Sequence, residues 1–153
     1  MKEGGFFDIR KWCESDCRRI AEMEKECFSE PWTLEMIEGS FCEEHFSGFV
    51  AEVGGEIIGY VGVSAVFDTV DVLLIAVSKE FRKRGVATAL LSAATEDSLK
   101  CGAERAMLEV DVKNESAVSC YLKFGFKKIA ERRNYYGEGK DAYIMEKRLL
   151  NDL

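Results

Sequence analysis

One stretch constrains the fold of this chain more than any other, and it lies between Val70 and Ala94. Its first half, Val70-Asp71-Val72-Leu73-Leu74-Ile75-Ala76-Val77, is apolar apart from a single aspartate, which predicts a buried strand. Ser78 to Arg84 is a polar connection, and beyond Gly85 the residues Val86, Ala89, Leu90, Ala93 and Ala94 recur at helical spacing. A strand therefore passes into a helix across a basic loop that contains glycine. The first N–H groups of a helix lack intrahelical partners and carry the positive end of its dipole, so an anion is favoured there. Arg82, Lys83 and Arg84 add positive charge, and the small residues Gly85 and Ala87 let phosphate oxygens approach the backbone, so a diphosphate fits this loop. The spacing Arg82-x-x-Gly85-x-Ala87 is neither the GxxxxGKS/T of nucleotide triphosphatases nor the GxGxxG of dinucleotide binders.

Around this unit, strand and helix signals follow one another. Phe6 to Arg10 has strand character, and Trp12 to Cys27 carries Cys13, Cys17, Ile20, Met23, Glu24 and Cys27 at helix-like intervals, with Ser15 or Asp16 as N-cap. Pro31 restricts Glu30 away from helix, and a second helix is expected from Thr33 into the Glu43 region. Phe46 to Val53 and Glu56 to Phe67 are rich in strand formers and meet at Gly54-Gly55, a two-residue hairpin signal. Gly102 sits where a left-handed cap would end the long helix, and Ala106 to Val112 then alternates. That alternation places Met107, Glu109 and Asp111 on one face and Leu108, Val110 and Val112 on the other. Asn114-Glu115-Ser116 opens a short helix through Tyr121 and Lys123 to Gly125. Phe126 to Tyr136 and Ala142 to Leu150 are expected as closing strands around Gly137-Glu138-Gly139-Lys140. One strand–helix–strand crossover in a mainly antiparallel order implies an α/β sheet covered by helices.

With 153 residues and 47% hydrophobic content, the chain can bury a full core, and one domain over 1–153 is expected. Met1 to Arg10 is too short and polar for a secretory signal, and no apolar run approaches the roughly 20 residues of a membrane helix, so a cytoplasmic protein is expected. The cysteines at 13, 17, 27, 42, 101 and 120 form no CxxC pair, which excludes a zinc knuckle and favours free thiols in a reducing compartment. His45 is the only histidine, so a multi-histidine metal centre or a Ser-His-Asp triad is not expected, and neither is a metal cofactor. The formal net charge of −7 argues against general nucleic-acid binding and suits a basic or amine-bearing partner. Chemistry is left to carboxylates, tyrosines and backbone groups.

Taken in register, several segments resemble the GCN5-related N-acetyltransferase (GNAT) family over nearly the whole chain. They are Ile9-Arg10 with Asp16 and Ile20, the Leu74-Ile75-Ala76-Val77 strand, the basic loop, Leu108-Glu109-Val110 with Asn114, and Tyr121-x-x-x-Gly125-Phe126. Glu30-Pro31-Trp32, Glu109, Tyr121 and Arg132-Arg133-Asn134-Tyr135-Tyr136 look like its RimI-type branch, the ribosomal-protein-alanine N-acetyltransferases. That branch acetylates the N-terminal α-amino group of a small-subunit ribosomal protein. The resemblance implies a GNAT-like α/β domain with a mixed, mainly antiparallel sheet flanked by helices, in which a splayed strand pair admits acetyl-CoA as cosubstrate. It implies that Arg82, Lys83, Arg84, Gly85, Val86, Ala87 and Thr88 hold the diphosphate. Backbone groups of Ile75, Ala76 and Val77, on a bulged strand, would pair with the pantetheine arm and polarise the carbonyl. Asn114 would hydrogen-bond the same arm, although asparagine before a helix is also a common cap. Thr88 and Ala87 stand where this branch more often has arginine and glycine, and the missing guanidinium weakens phosphate affinity without moving the site.

Acetyl transfer from a thioester to an amine needs a neutral amine, a polarised carbonyl and a proton for the departing thiolate. An N-terminal α-amino group has a pKa near roughly 7.7 to 8.0, so a base assists it at neutral pH. The resemblance assigns that role to Glu109, acting directly or through water; on its residues alone this is a solvated strand glutamate, with Asp111 a weaker substitute. Tyr121 is the corresponding general acid, since a phenol of pKa about 10 is protonated at pH 7; the alternative is a ring packed on the sheet. Cys120 adjoins Tyr121, but no histidine lies near it in sequence and successive helical residues point about 100° apart, so a buried thiol and direct transfer in a ternary complex are expected. The acceptor would lie between Phe28 to Trp32 and Arg132 to Tyr136, with Trp32, Tyr135 and Tyr136 as substrate-binding residues, or these pack as an ordinary hairpin. The expected partner is a protein or peptide N-terminus, ribosomal in the branch it resembles, with neither nucleic acid nor membrane. A transferase for a small-molecule amine or a lysine, and a non-catalytic acyl-CoA-binding regulatory module, are the alternatives.

Overall fold

The computed structural model describes residues 6–149. Strands β1 (Asp8–Lys11), β2 (Phe46–Val53), β3 (Glu56–Val66), β4 (Thr69–Val77), β5 (Arg105–Asp111), β6 (Lys127–Arg132) and β7 (Ala142–Arg148) form one sheet in the order β1-β2-β3-β4-β5-β7-β6. Helices α1 (Cys17–Cys27), α2 (Leu34–Phe41), α3 (Val86–Lys100) and α4 (Glu115–Phe124) complete the fold. Every strand pairing is antiparallel except β4 with β5, which α3 joins by the crossover that a parallel pair requires.

Two apolar clusters lie on opposite sides of the sheet. One gathers Trp12, Ile20, Met23, Ile37, Val50, Tyr60 and Leu74 beneath α1 and α2. The other gathers Val61, Val63, Val70, Val77, Leu90, Leu91, Leu108 and Phe126 with α3 and α4. Full burial of each large side chain contributes on the order of 1.5 to 3 kcal/mol. Strand β4 serves both clusters because it carries a bulge. Its register against β3 runs Val63 with Val72 and then Gly62 with Leu74, leaving Leu73 as the extra residue. Val70 and Val72 therefore face the α3 side, whereas beyond Leu73 it is Ile75 and Val77 that do, and Leu74 and Ala76 turn to the α1 side. Opposite Leu74 stands Gly62, where a Cβ would come within 2.7 Å of the Leu74 side chain. The expectation of a bulge at Ile75 to Val77 is thus corrected to Leu73; a run apolar on both faces conceals where its alternation changes phase.

Two element boundaries also differ from expectation. The first helix starts at Cys17 after a short 3-10 turn over Glu14–Asp16, because the Asp16 carboxylate accepts hydrogen bonds from Arg10 and from the Cys13 N–H. Trp12 instead joins the core between the Gly48 carbonyl and the Cys17 thiol. Strand β6 ends at Arg132, and residues 133–141 form a hydrogen-bonded turn in which Asn134, at φ 54°, accepts from the Gly139 N–H and donates its own N–H to Asp141. The expected end of the last strand at Leu150 lies outside the described residues. All six cysteines are free, and among the described residues no helix is long and apolar enough to cross a membrane.

Candidate active site

Strands β4 and β5 pair only at their beginnings, from Thr69 with Arg105 to Asp71 with Met107. Beyond that rung β4 stays bonded to β3 as far as Val77 and β5 to β7 as far as Asp111, so the pair parts and their facing backbone groups are left without a strand partner. The gap opens toward the C-terminal ends of both strands, and Ile75, Ala76 and Val77 line its β4 side.

At the head of the gap the chain turns into α3. Lys83 and Gly85 both take left-handed backbone, φ 62° and φ 88°, and Gly85 is the N-cap with no side chain capping the helix. A Cβ on Gly85 would meet nothing within 4 Å, so the glycine serves the turn and the space above it is open. The N–H groups of Val86, Ala87 and Thr88 open the helix there, with no preceding turn to accept them. Arg84 stacks its guanidinium over the rings of Phe6 and Phe81, 5.4 and 5.6 Å from their centroids. Arg82 is placed differently from its neighbours. Its Nε donates to the Val77 carbonyl at 2.8 Å and an Nη lies 3.7 Å from the Cys27 thiol, so its side chain braces the loop against β4 and the end of α1.

On the other side of the gap, Glu109 is exposed on β5, on the same strand face as Met107 and Asp111. Tyr121, on α4, has its ring buried edge-on against Phe126, 6.0 Å between centroids, and Gly125 at φ 119° caps the helix behind it. Burial, with the neighbouring Cys120 and Tyr136, holds the Tyr121 phenol well above its ordinary pKa, so it stays protonated. Tyr136, carried by the turn after β6, is pushed up to about 12 by burial, by the Glu109 carboxylate, by Tyr135 and by Asp111. It thus shares the electrostatic surroundings of both groups that the sequence singles out. The turn holds it there through the Tyr136 N–H donating to the Lys140 carbonyl, while Tyr135 packs against it and under the Arg132 guanidinium. Asn114 caps α4, its Oδ1 accepting from the Ala117 N–H at 3.3 Å. Cys120 is half-buried, and burial raises its thiol, which suits the expected inert role. Trp32 closes the loop between α1 and α2, on the sheet face opposite α3 and α4.

Sequence reasoning missed the group that fixes this loop. Glu24 lies on the apolar face of α1, buried, and accepts from the Tyr60 hydroxyl at 2.6 Å and from the Trp32 N–H at 2.9 Å. A carboxylate in step with Ile20 and Cys27 was its only signal.

A mixed sheet whose parallel pair parts in front of a glycine-led helix, with a carboxylate and a protonated phenol beside the gap, defines the acyl-transfer class of α/β fold. Comparison with known proteins is consistent with it: the acetyltransferase (GNAT) family matches residues 17–126. The chain belongs to that family and is an N-acetyltransferase. It is 32% identical to an N-alpha-acetyltransferase of Sulfurisphaera tokodaii, over 94% of each chain. It is 31% identical to the N-alpha-acetyltransferase RimI of Mycobacterium tuberculosis, over 87% of each. The crystal structure of Arabidopsis thaliana NAA60 in complex with acetyl-CoA shares the fold at a TM-score of 0.85 and 19% identity, over 95% of this chain and 99% of that one.

Proposed function

We propose that this protein transfers the acetyl group of acetyl-CoA directly to the N-terminal α-amine of a protein or peptide, a ribosomal protein being the leading acceptor. The observation that carries the reading is the parting of β4 from β5 beside Glu109, with the open amides of α3 at its head. The residues fit acetyl-CoA by their donor set. Lys83 to Thr88 supply main-chain N–H groups and two cationic side chains for the diphosphate, and Ile75, Ala76 and Val77 supply a free strand edge for the amides of the pantetheine arm. Arg82 shapes the loop through Val77, and Asn114 orders the start of α4.

In the reaction, the amine nitrogen forms a bond to the thioester carbonyl carbon and the carbon–sulfur bond breaks. Glu109 takes the proton that the ammonium must lose, directly or through a water. Tyr121 gives a proton to the thiolate as it leaves. A main-chain N–H on the free edge of β4 polarises the carbonyl. Trp32, Tyr135 and Tyr136 border the acceptor on either side of Glu109. Free CoA release measured with acetyl-CoA and an alanine-starting peptide tests the reading. Turnover with that peptide, abolished by blocking its α-amine, is the expected result. Turnover confined to a lysine side chain or a small amine transfers the activity to another acceptor class, and binding of acetyl-CoA without turnover toward any amine makes the protein a regulatory module.

A further inference from the structure

We propose that Glu24 is a positioning residue that sets the distance between the acceptor loop and the strand edge where the thioester would lie. The inference rests on the acetyl-transfer reading above. Glu24 reaches two parts of the site at once. Through the Trp32 N–H it holds the loop that follows α1, and through the Tyr60 hydroxyl it holds β3 at the residue paired with Ala76 of β4. Ala76 belongs to the segment past Leu73 that has parted from β5, so one buried carboxyl group spans from the acceptor wall to the cofactor edge.

The arrangement specifies position more than a helix-to-sheet contact needs. Trp32 and Tyr60 both pack in the cluster beneath α1 and α2, and apolar contact alone would hold them loosely along the direction of the loop. Two hydrogen bonds of defined direction fix it. Burial and the adjacent Glu24 carboxylate hold the Tyr60 phenol far above its ordinary pKa, which keeps it a donor. Among the described residues no fully buried side-chain nitrogen or oxygen lacks a partner, so the network is closed. The neighbouring Cys27–Arg82 contact holds the same end of α1 to the basic loop without using Glu24, so losing the two Glu24 bonds leaves that loop anchored and is felt on the acceptor side first.

The test compares Glu24→Leu with Glu24→Gln. Leucine keeps the volume and removes both bonds. Glutamine can still accept from the Trp32 N–H while its amide donates to the Tyr60 oxygen, so it restores the span. For Glu24→Leu, kcat/KM for the peptide is expected to fall about tenfold or more while acetyl-CoA Kd stays within about twofold, and Glu24→Gln is expected within about threefold of wild type. Tyr60→Phe, which removes only the strand end of the span, should fall between them. Amide hydrogen exchange at Trp32, read on each free protein, should speed up in Glu24→Leu and return to the wild-type rate in Glu24→Gln. Unchanged peptide kinetics in Glu24→Leu, or equal losses of peptide and acetyl-CoA affinity, overturn the proposal. Trp32 exchange that stays slow in Glu24→Leu overturns it even if wild-type protein acetylates no peptide, an outcome that by itself refutes only the acetyl-transfer reading.

Discussion

The two ends of the cleft are built from different material. At the α3 end, main-chain N–H groups open the helix behind two left-handed residues, and the Arg82 side chain is turned back to brace the loop. At the β5 end, Glu109, Tyr121 and Tyr136 come from a strand, a helix and a turn, and on the proposed function it is their side chains that act. The first end should therefore tolerate changes of side chain and resist changes of backbone. The second should behave in the opposite way.

Four substitutions probe this contrast. Glu109→Gln keeps shape and removes the base, so kcat with a peptide amine is expected to fall about a hundredfold or more while acetyl-CoA affinity holds; an undiminished kcat removes Glu109 from the chemistry. Tyr121→Phe leaves the packed ring and takes only the proton, for an expected loss of ten- to a hundredfold in kcat with a melting temperature close to wild type. At the other end, Gly85→Val forces a β-branched residue into left-handed backbone at a cost of about 1 to 3 kcal/mol, and acetyl-CoA binding measured by calorimetry should weaken about tenfold or more. Arg84→Ala should weaken it only a few-fold, and less at high salt. If the order of the last two were reversed, the cation and not the main chain would hold the anion.

A pH series sharpens the β5 end. Tyr136 is pushed up to about 12 in the folded protein, so the unfolded chain gives up this proton first as pH rises through about 10. The unfolded state then binds fewer protons, and the stabilisation, fully present below pH 10, declines between there and about 12. Tyr136→Phe should flatten that decline in chemical-denaturation curves. An equally steep decline in the variant would show that Tyr136 does not titrate late.

Most of the architecture was legible because the relevant signals are local. The Gly54-Gly55 hairpin, helices α3 and α4 and the alternation over β5 depend on neighbours in the chain, and they emerge at nearly the expected residues. The glycine-led turn into α3 was legible for the same reason, since glycine and helix start are contiguous. Placements that depend on distant partners were not. The Arg82 side chain answers to Val77 and Cys27, the closing turn after Arg132 answers to Asn134 and Asp141, and Asp16 answers to Arg10. Glu109 and Tyr121 were singled out through resemblance alone, because a strand glutamate and a helix tyrosine look ordinary in sequence, and their shared neighbour Tyr136 lies on a distant turn.

Leu73 makes β4 a strand read in two frames. Upstream of it, residues with even numbers look toward α3 and α4; downstream, odd ones do. Deleting this one residue would leave a single frame, with Val72 followed directly by Leu74 and each downstream side chain kept on its present side, but the local kink that an extra residue imposes would be lost. The strand edge proposed to receive the pantetheine arm would then run straight on from the rung at Asp71 instead of bending away from β5, so the opening for a substrate is written into the protein as an insertion rather than as a pocket.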